Sequence, residues 1–429
     1  MEHQIESEMA HSSRPKEGDF FYGWVVAGGA FLITAITCGA YYSFGVFFLP
    51  VMTEFGWTRS MTSGVGFVVG LTYAVTVPLM GMLADRYGFK RVTIIAIIIM
   101  GLGFLLGSQI QKLWHLYVFI GFLPGLGACA AIALPLAMVS KWFIRRQGLA
   151  LGIASAGIGA GTAIVPLFVA YFISEFEWRM AFGFLGSLIL LTCVPLSLIA
   201  MRDPNPADIY EHESKSMTSA GPSDPREIDP EFTLPEAVRT APFWSLFAIF
   251  ALYILCLGLT MTHLVPYAQD TGLSAMTAAT LVSTLGAFSI IGRILSGVVS
   301  DKIGARPVLF VCLIIQGGMM LWLMNSSVPW MFYLFAAFFG ASYGANIVQI
   351  PKLTASIFGV KSMGAIFGGL SVGDGLGYAI GPLFAGYIFD VTGSYDLSFL
   401  TVTAGMLVAV ALTWMFKEKP ALKKTKIGP

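Results

Sequence analysis

The feature that most constrains this chain is a succession of apolar runs separated by short polar breaks. Read against those breaks, the runs fall at 22–50, 60–84, 92–110, 114–140, 147–173, 179–201, 242–268, 276–300, 307–325, 329–355, 362–389 and 395–416. Each approaches or exceeds the ~20 residues with which a helix crosses the hydrocarbon core of a bilayer. Inside lipid the backbone must satisfy its own hydrogen bonds, which leaves the helix as the form such runs can take. The expectation is an all-α polytopic membrane protein with twelve transmembrane helices, and the lipid bilayer is its first partner. Charged residues make up only 11% of the chain and apolar ones 56%, against about 25% charged in a soluble domain. That excludes a soluble enzyme. A net charge of +1 offers no basic surplus for nucleic acid.

The five cysteines lie far apart inside apolar runs. No zinc spacing or disulfide framework is visible, and no metal or cofactor is expected. The polar stretch from Met1 to Asp19 holds no short apolar core before a cleavage site, so the first span is expected to direct insertion itself.

One long polar interruption, Arg202 to Arg239, splits six spans from six. The expected plan is a cytoplasmic tail (1–21), a six-helix bundle (22–201), a cytoplasmic linker (202–240), a second bundle (241–416) and a basic cytoplasmic tail (417–429). Of the 25 Lys and Arg, 21 fall on the side of the termini and linker and three (Arg59, Lys112 and Arg179) on the other; Arg293 lies within a span. Basic residues favour the cytoplasmic side, so both termini are expected there. The protein is expected in the plasma (cell inner) membrane.

The halves repeat. A shift of 216 carries Pro50, Gly56, Gly81, Asp85 and Gly88 onto Pro266, Gly272, Gly297, Asp301 and Gly304. It also carries Pro135, Gly148, Gly152 and Pro166-Leu167-Phe168 onto Pro351, Gly364, Gly368 and Pro382-Leu383-Phe384. Two six-helix pseudo-repeats in parallel order suit transporters whose bundles rock around a midplane site.

Between spans 2 and 3 stands Gly81-Met82-Leu83-Ala84-Asp85-Arg86-Tyr87-Gly88-Phe89-Lys90-Arg91, with a weaker echo from Gly297 to Arg306 that includes Asp301. It resembles the loop motif of the major facilitator superfamily, which implies the major facilitator fold. The chemistry suits a gate: Gly81 lets helices approach, and Asp85 can accept hydrogen bonds at a neighbouring helix's positive N-terminus. Arg86 and its basic neighbours favour the cytoplasmic surface, while Gly88 closes the turn.

Further matches are Gly23-Trp24, Val46-Phe47-Phe48, Leu116-Tyr117-Val118, Gly125-Leu126-Gly127 and the run from Trp142-Phe143-Ile144-Arg145-Arg146 to Ala154-Ser155-Ala156-Gly157. Together they resemble the monocarboxylate transporter family, which carries lactate, pyruvate and similar acids with a proton. Exchangers of oxalate and formate share parts of the pattern. The resemblance implies that Arg293, in span 8, occupies the place of the family's substrate-binding arginine. Apart from any family, an arginine inside a span costs about 2.5–3.5 kcal/mol on insertion scales, and a carboxylate matches its planar donor fork. Snorkelling to the headgroups is the alternative.

Asp374 lies near the middle of span 11, where a desolvated carboxylate is a proton-carrier candidate. It resembles in position a glutamate of some family members. His263 and Asp270, late in span 7, offer a second proton route; Asp270 either marks the span's end or pairs with Arg293 in an empty cavity. Two departures from the family stand out. Tyr42 occupies the place of a lysine found in animal members, and Ser289 that of an aspartate four residues before the arginine. On span 10, Tyr343 and Asn346, with Gln349 nearby, could hydrogen-bond a hydroxyl or carboxylate. The glycine strings Gly157 to Gly161 and Gly373 to Gly377 follow no strand and serve close helix approach, not a nucleotide.

The expected function is proton-coupled symport of small monocarboxylates, L-lactate, pyruvate or similar, by alternating access, with the carrier working as a monomer. An organic anion antiporter of oxalate/formate type is the alternative within transport, and a membrane sensor that binds without moving its ligand is the alternative outside it. No span joins a histidine to a carboxylate cluster or a nucleophile to a base, so an enzyme is not expected.

Overall fold

The computed structural model describes residues 22–143, 147–204, 232–359 and 362–415, and all regular structure among them is helical. The tails and residues 205–231 of the linker lie outside the described residues. The first helices are α1 (Gly23–Phe55), α2 (Arg59–Tyr87), α3 (Phe89–Gly107) and α4 (Leu113–Trp142). A 53-residue helical run, Gly148–Ala200, follows. It would be about 80 Å long if straight, but Glu177 breaks it with φ 72°. The break yields two antiparallel helices, α5 (147–176) and α6 (178–200). Beyond the linker come α7 (Ala241–Asp270), α8 (Ala275–Ile303), α9 (Ala305–Met324), α10 (Pro329–Phe358), α11 (Met363–Thr392) and α12 (Asp396–Met415).

Ten runs are long and apolar enough to cross a membrane. Division at Glu177 adds one, and α11 completes the twelve. Eight glycines and Asp374 dilute the apolar character of α11, yet it has 30 residues and packs between α2 and α7.

Some helices outrun their apolar cores. The α1 run weakens at Pro50, but the helix continues to Phe55, because Glu54 is held there: it accepts from Trp178 Nε1 at 2.6 Å and pairs with Arg179 at 2.6 Å. Before α7, Phe232 N–H donates to the Phe358 carbonyl and Leu234 lies beside Gly369, docking the linker's last turn on the second bundle. Within that turn the Thr233 backbone N–H and hydroxyl hold the Glu236 carboxyl below its usual range.

The 216-residue repeat is visible in the backbone. Gly56 (φ 64°) and Gly272 (φ 96°) both end helices in the left-handed region, as do Gly88 (φ 90°) and Gly304 (φ 92°). Thr58 and Ser274, also 216 apart, both cap the helix that follows by accepting a backbone N–H. The proline pairs Pro50 and Pro266, Pro135 and Pro351, and Pro166 and Pro382 all lie inside helices.

The halves meet along two antiparallel helix pairs, α2 with α11 and α5 with α8. Gly66 faces Pro382, Gly70 faces Gly375 and Ala379, and Gly375 faces Ala74. On the other seam Gly286 faces Thr162 and Ala163, while Gly159 faces Ser289 and Ile290. Gly159 and Gly375 are again 216 apart. Seven residues on from Ala74, Gly375 and Gly159 along the same helix faces come Gly81, Gly368 and Gly152, and four on from Arg293 comes Gly297. Among the described residues, a β-carbon on any of these would meet nothing within 4 Å. The halves are therefore closed together at the end of the molecule that carries Arg59 and parted at the end that carries the linker.

Candidate functional site

Arg293 stands about 15 Å from the linker end of α8, by helical rise. It is 6% exposed and does not reach the lipid surface. Its guanidinium lies 5.6 Å from the Tyr343 ring of α10, and Nη1 donates to Ser289 Oγ at 3.4 Å. Gly159 of α5 makes room for it: a β-carbon there would lie 3.0 Å from Nη1. The opposite edge of the fork, Nε and Nη2, is buried without a hydrogen-bond partner, and so is the Tyr253 hydroxyl. Tyr253 lies within electrostatic range of Arg293. Buried donors without acceptors cost about 1–3 kcal/mol each, and more when charged. In charge and donor geometry this corner of the molecule matches an anion's acceptors.

Asp374 of α11 is half-buried, with no hydrogen bond or ion pair among the described residues. Tyrosines surround it. It lies within electrostatic range of Tyr41, Tyr73, Tyr253, Tyr343 and Tyr378. Tyr253 and Tyr343 are near both Asp374 and Arg293, so the two opposite charges share a setting without bonding directly. Tyr42 joins from the first half, where its hydroxyl accepts from that of Tyr343 at 3.5 Å, and Tyr41 packs on Tyr378 with ring centroids 5.3 Å apart.

Asn346 is placed elsewhere. Its Nδ2 donates to Gln316 Oε1 of α9 at 2.9 Å, inside the second bundle, with Gln349 fully buried on the same helix. Three helical positions turn a side chain through about 300°, so Asn346 looks to α9 while Tyr343 looks to Tyr42.

His263 and Asp270 are brought together, but far from Arg293 and with a partner that sequence reasoning missed. Arg59, the first residue of α2, is 7% exposed and donates from Nη2 to Asp270 Oδ1 at 2.7 Å. Asp270 therefore pairs with Arg59 and not with Arg293: it sits at the extreme end of α7, whereas Arg293 is buried mid-helix. Arg59 Nη1 donates to the Tyr395 hydroxyl at 2.5 Å, and that hydroxyl meets His263 Nδ1 at 2.9 Å. His263 Nε2 lies 2.9 Å from the Pro382 carbonyl and 3.1 Å from Ser63 Oγ. A carbonyl only accepts, so Nε2 carries the proton and Nδ1 accepts from Tyr395. Asp390 of α11 completes the arrangement by taking the backbone N–H groups of Arg59 (2.9 Å) and Ser60 (2.8 Å) on its two oxygens. A carboxylate from one half thus caps a helix N-terminus of the other.

At the parted end, Gly81 touches nothing across the gap, and Asp85 is exposed without a hydrogen bond or ion pair among the described residues. Arg86 lies over the Tyr87 ring and Gly88 forms the α2–α3 turn. Asp301 pairs with Lys352 inside its own half.

Comparison with known proteins accords with this architecture. A family model described as Major Facilitator Superfamily matches residues 30–305 and 265–428. Monocarboxylate transporter 12 of Mus musculus is 29% identical over 430 residues, covering 95% of this chain and 87% of its own length. Monocarboxylate transporter 2 of Homo sapiens is 26% identical, covering 92% of this chain and 84% of its own length. Monocarboxylate transporter 13 of Bos taurus is likewise 26% identical, covering 93% and 90%. Among solved structures, a bacterial homolog to the human lysosomal transporter Spinster, inward-facing and unoccupied, superposes with a TM-score of 0.69 at 18% identity, covering 93% of this chain and 97% of that one. That likeness bears on the fold alone.

Proposed function

Because the chain belongs to the major facilitator superfamily, and is thus an integral membrane transporter and not an enzyme, we propose that it carries small monocarboxylates, L-lactate, pyruvate or a close relative, together with a proton by alternating access. One observation carries this reading: the buried Nε and Nη2 edge of Arg293, unpartnered beside the unpartnered Tyr253 hydroxyl. A carboxylate takes two parallel N–H donors from such an edge. The only other arginine buried among the described residues, Arg59, is already engaged by Asp270. One free guanidinium suits one carboxylate. Relatives named monocarboxylate transporters, aligned along most of the chain, support the same substrate class.

Charge balance supports a proton. Arg293 and Asp374 cancel in the empty carrier; a bound carboxylate leaves one negative charge, and a proton on Asp374 removes it. The neutral loaded carrier then switches without moving net charge through a low-dielectric region. Tyr42 and Tyr343, whose hydroxyls link the two halves beside Arg293, are placed to sense the occupant. The excess of Lys and Arg at the linker end supports placing that end, with both termini, in the cytoplasm of a plasma-membrane carrier; on that reading the arrangement described here opens inward. Arg293, Asp374 and their tyrosines need no second chain to complete this site, which supports a monomeric carrier.

Exchange of oxalate or formate type is the second reading, favoured by the lack, among the described residues, of any carboxylate bonded to Arg293. Uptake into proteoliposomes decides. A symporter accumulates labelled lactate under an inward proton gradient alone, whereas an exchanger requires internal anion. Arg293→Gln is expected to cut uptake by about 100-fold or more, the worth of a lost bidentate charged pair; uptake at the parent rate refutes the assignment. Asp374→Asn is expected to spare exchange and abolish proton-driven accumulation.

A further inference from the structure

We propose that His263 is a second proton site, distinct from Asp374, whose occupancy opens the Arg59 end of the molecule. The inference rests on the alternating-access reading above but not on the identity of the substrate.

The imidazole is 1% exposed and its bonding capacity is full. Nε2–H points at the Pro382 carbonyl (2.9 Å) and Ser63 Oγ (3.1 Å), while Nδ1 accepts from the Tyr395 hydroxyl (2.9 Å). The Tyr395 oxygen in turn accepts from Arg59 Nη1. The histidine thus sits where α2 of one half is tied to α7, α11 and α12 of the other.

A second proton on Nδ1 turns the acceptor of this chain into a donor. The Tyr395 hydroxyl would have to turn its hydrogen away, and an imidazolium and a guanidinium would then share one phenolic oxygen. No carboxylate bonds the ring to offset that charge. Two charged groups act on the ring itself, Arg59 of α2 and Asp390 of α11; Tyr395, at the N-cap of α12, brings Asp270 and Tyr267 of α7 within its own range, and Phe48 of α1 packs edge-on against the ring. Of the two aspartates, Asp270 is held by the Arg59 guanidinium and Asp390 by the N-terminus of α2. A protonated His263 is therefore compatible with α2 parted from α7 and α12, and incompatible with the closed latch.

Once the helices part, water reaches the ring and it titrates near the ordinary imidazole value of about 6.5. The proton then binds the open arrangement more tightly than the closed one. Below that value each further pH unit multiplies the open-to-closed ratio by up to about tenfold. Acid on the Arg59 side thus opens the end through which a proton-coupled carrier would load, and reclosure expels the proton from His263 again.

Pulsed electron paramagnetic resonance on the full chain in lipid nanodiscs, without substrate, tests this. Spin labels are introduced by Met61→Cys on α2 and Val391→Cys on α11, two exposed positions beside the latch, with the native cysteines replaced. The short-distance population should fall several-fold between pH 7.5 and 5.5. In His263→Gln, whose amide can still donate to Pro382 and accept from Tyr395 but takes no proton, it should stay dominant at both pH values. In Asp374→Asn the pH response should persist. A parent protein with no pH response overturns the proposal; so does a response kept in His263→Gln, a glutamine variant open at both pH values, or a response lost in Asp374→Asn. Failure of lactate uptake in proteoliposomes would instead count against the transport reading and leave this measurement standing.

Discussion

At the closed end the two halves hold equivalent acids in different ways. The 216-residue shift sets Glu54 against Asp270 and Arg179 against Tyr395. In the first half Glu54 is answered by Arg179 of the same bundle at 2.6 Å, and Trp178 adds a second donor. In the second half a tyrosine stands where that arginine would be, so Asp270 has no cation of its own and takes Arg59 across the divide at 2.7 Å. An acid satisfied at home stiffens its own bundle in every state. Under the proposed alternating access, an acid satisfied abroad keeps its partner in one state only, and so sets an equilibrium.

That contrast can be broken by mutation, with spin-label distances between α2 and α11 as the readout. Arg59→Met leaves Asp270 without its cation and should lower the closed-to-open ratio at the Arg59 end about 30-fold or more, since truncating one member of a partly buried charge pair costs about 2–5 kcal/mol. Asp390→Asn weakens the cap on α2 and should lower the same ratio about fivefold, in keeping with about 1 kcal/mol for a charge at a helix terminus. Asp85→Asn should act in the opposite direction, raising the ratio two- to threefold: Asp85 has no hydrogen bond or ion pair among the described residues and, at the linker end of the antiparallel α2–α11 seam, would cap the N-terminus of α11 once that end closed. Glu54→Gln should leave the ratio unchanged and lower the melting temperature by a degree or two, as expected for a partly exposed ion pair within one bundle. If Glu54→Gln moved the ratio as far as Arg59→Met does, the distinction between home and foreign partners would fail.

The scaffold was legible because its causes are local or periodic. Apolar runs declare spans, and one constant offset declares the duplication. The candidates Arg293 and Asp374 stood out in the sequence as charges inside apolar spans, and under the offset their counterparts are the apolar Val77 and Ile158, so each charge is an addition to one half only. The latch was not. Arg59 was read only as one of three basic residues beyond the membrane, because its partners Asp270, Asp390 and Tyr395 lie 211, 331 and 336 residues away. The missing signal was the pairing of Arg179 with Tyr395 under the offset, which leaves Asp270 in want of a cation. Asn346 shows the converse: named with Tyr343 as a hydrogen-bonding group of span 10, it has its side chain turned to Gln316 by packing within the second bundle.

The glycine-lined seams of α2 with α11 and α5 with α8 continue past the point where the halves now touch. Small residues, Gly66, Gly70, Ala74 and Gly375 on one seam and Gly159, Ala163 and Gly286 on the other, leave the bundles little to disengage, so in the proposed cycle they would roll on each other like smooth cylinders, the line of tangency travelling from one mouth of the protein to the other. A bulky side chain at Gly152 or Gly368 would act as a wedge on that track, tolerated in the geometry seen here and obstructive only when the bearing turns.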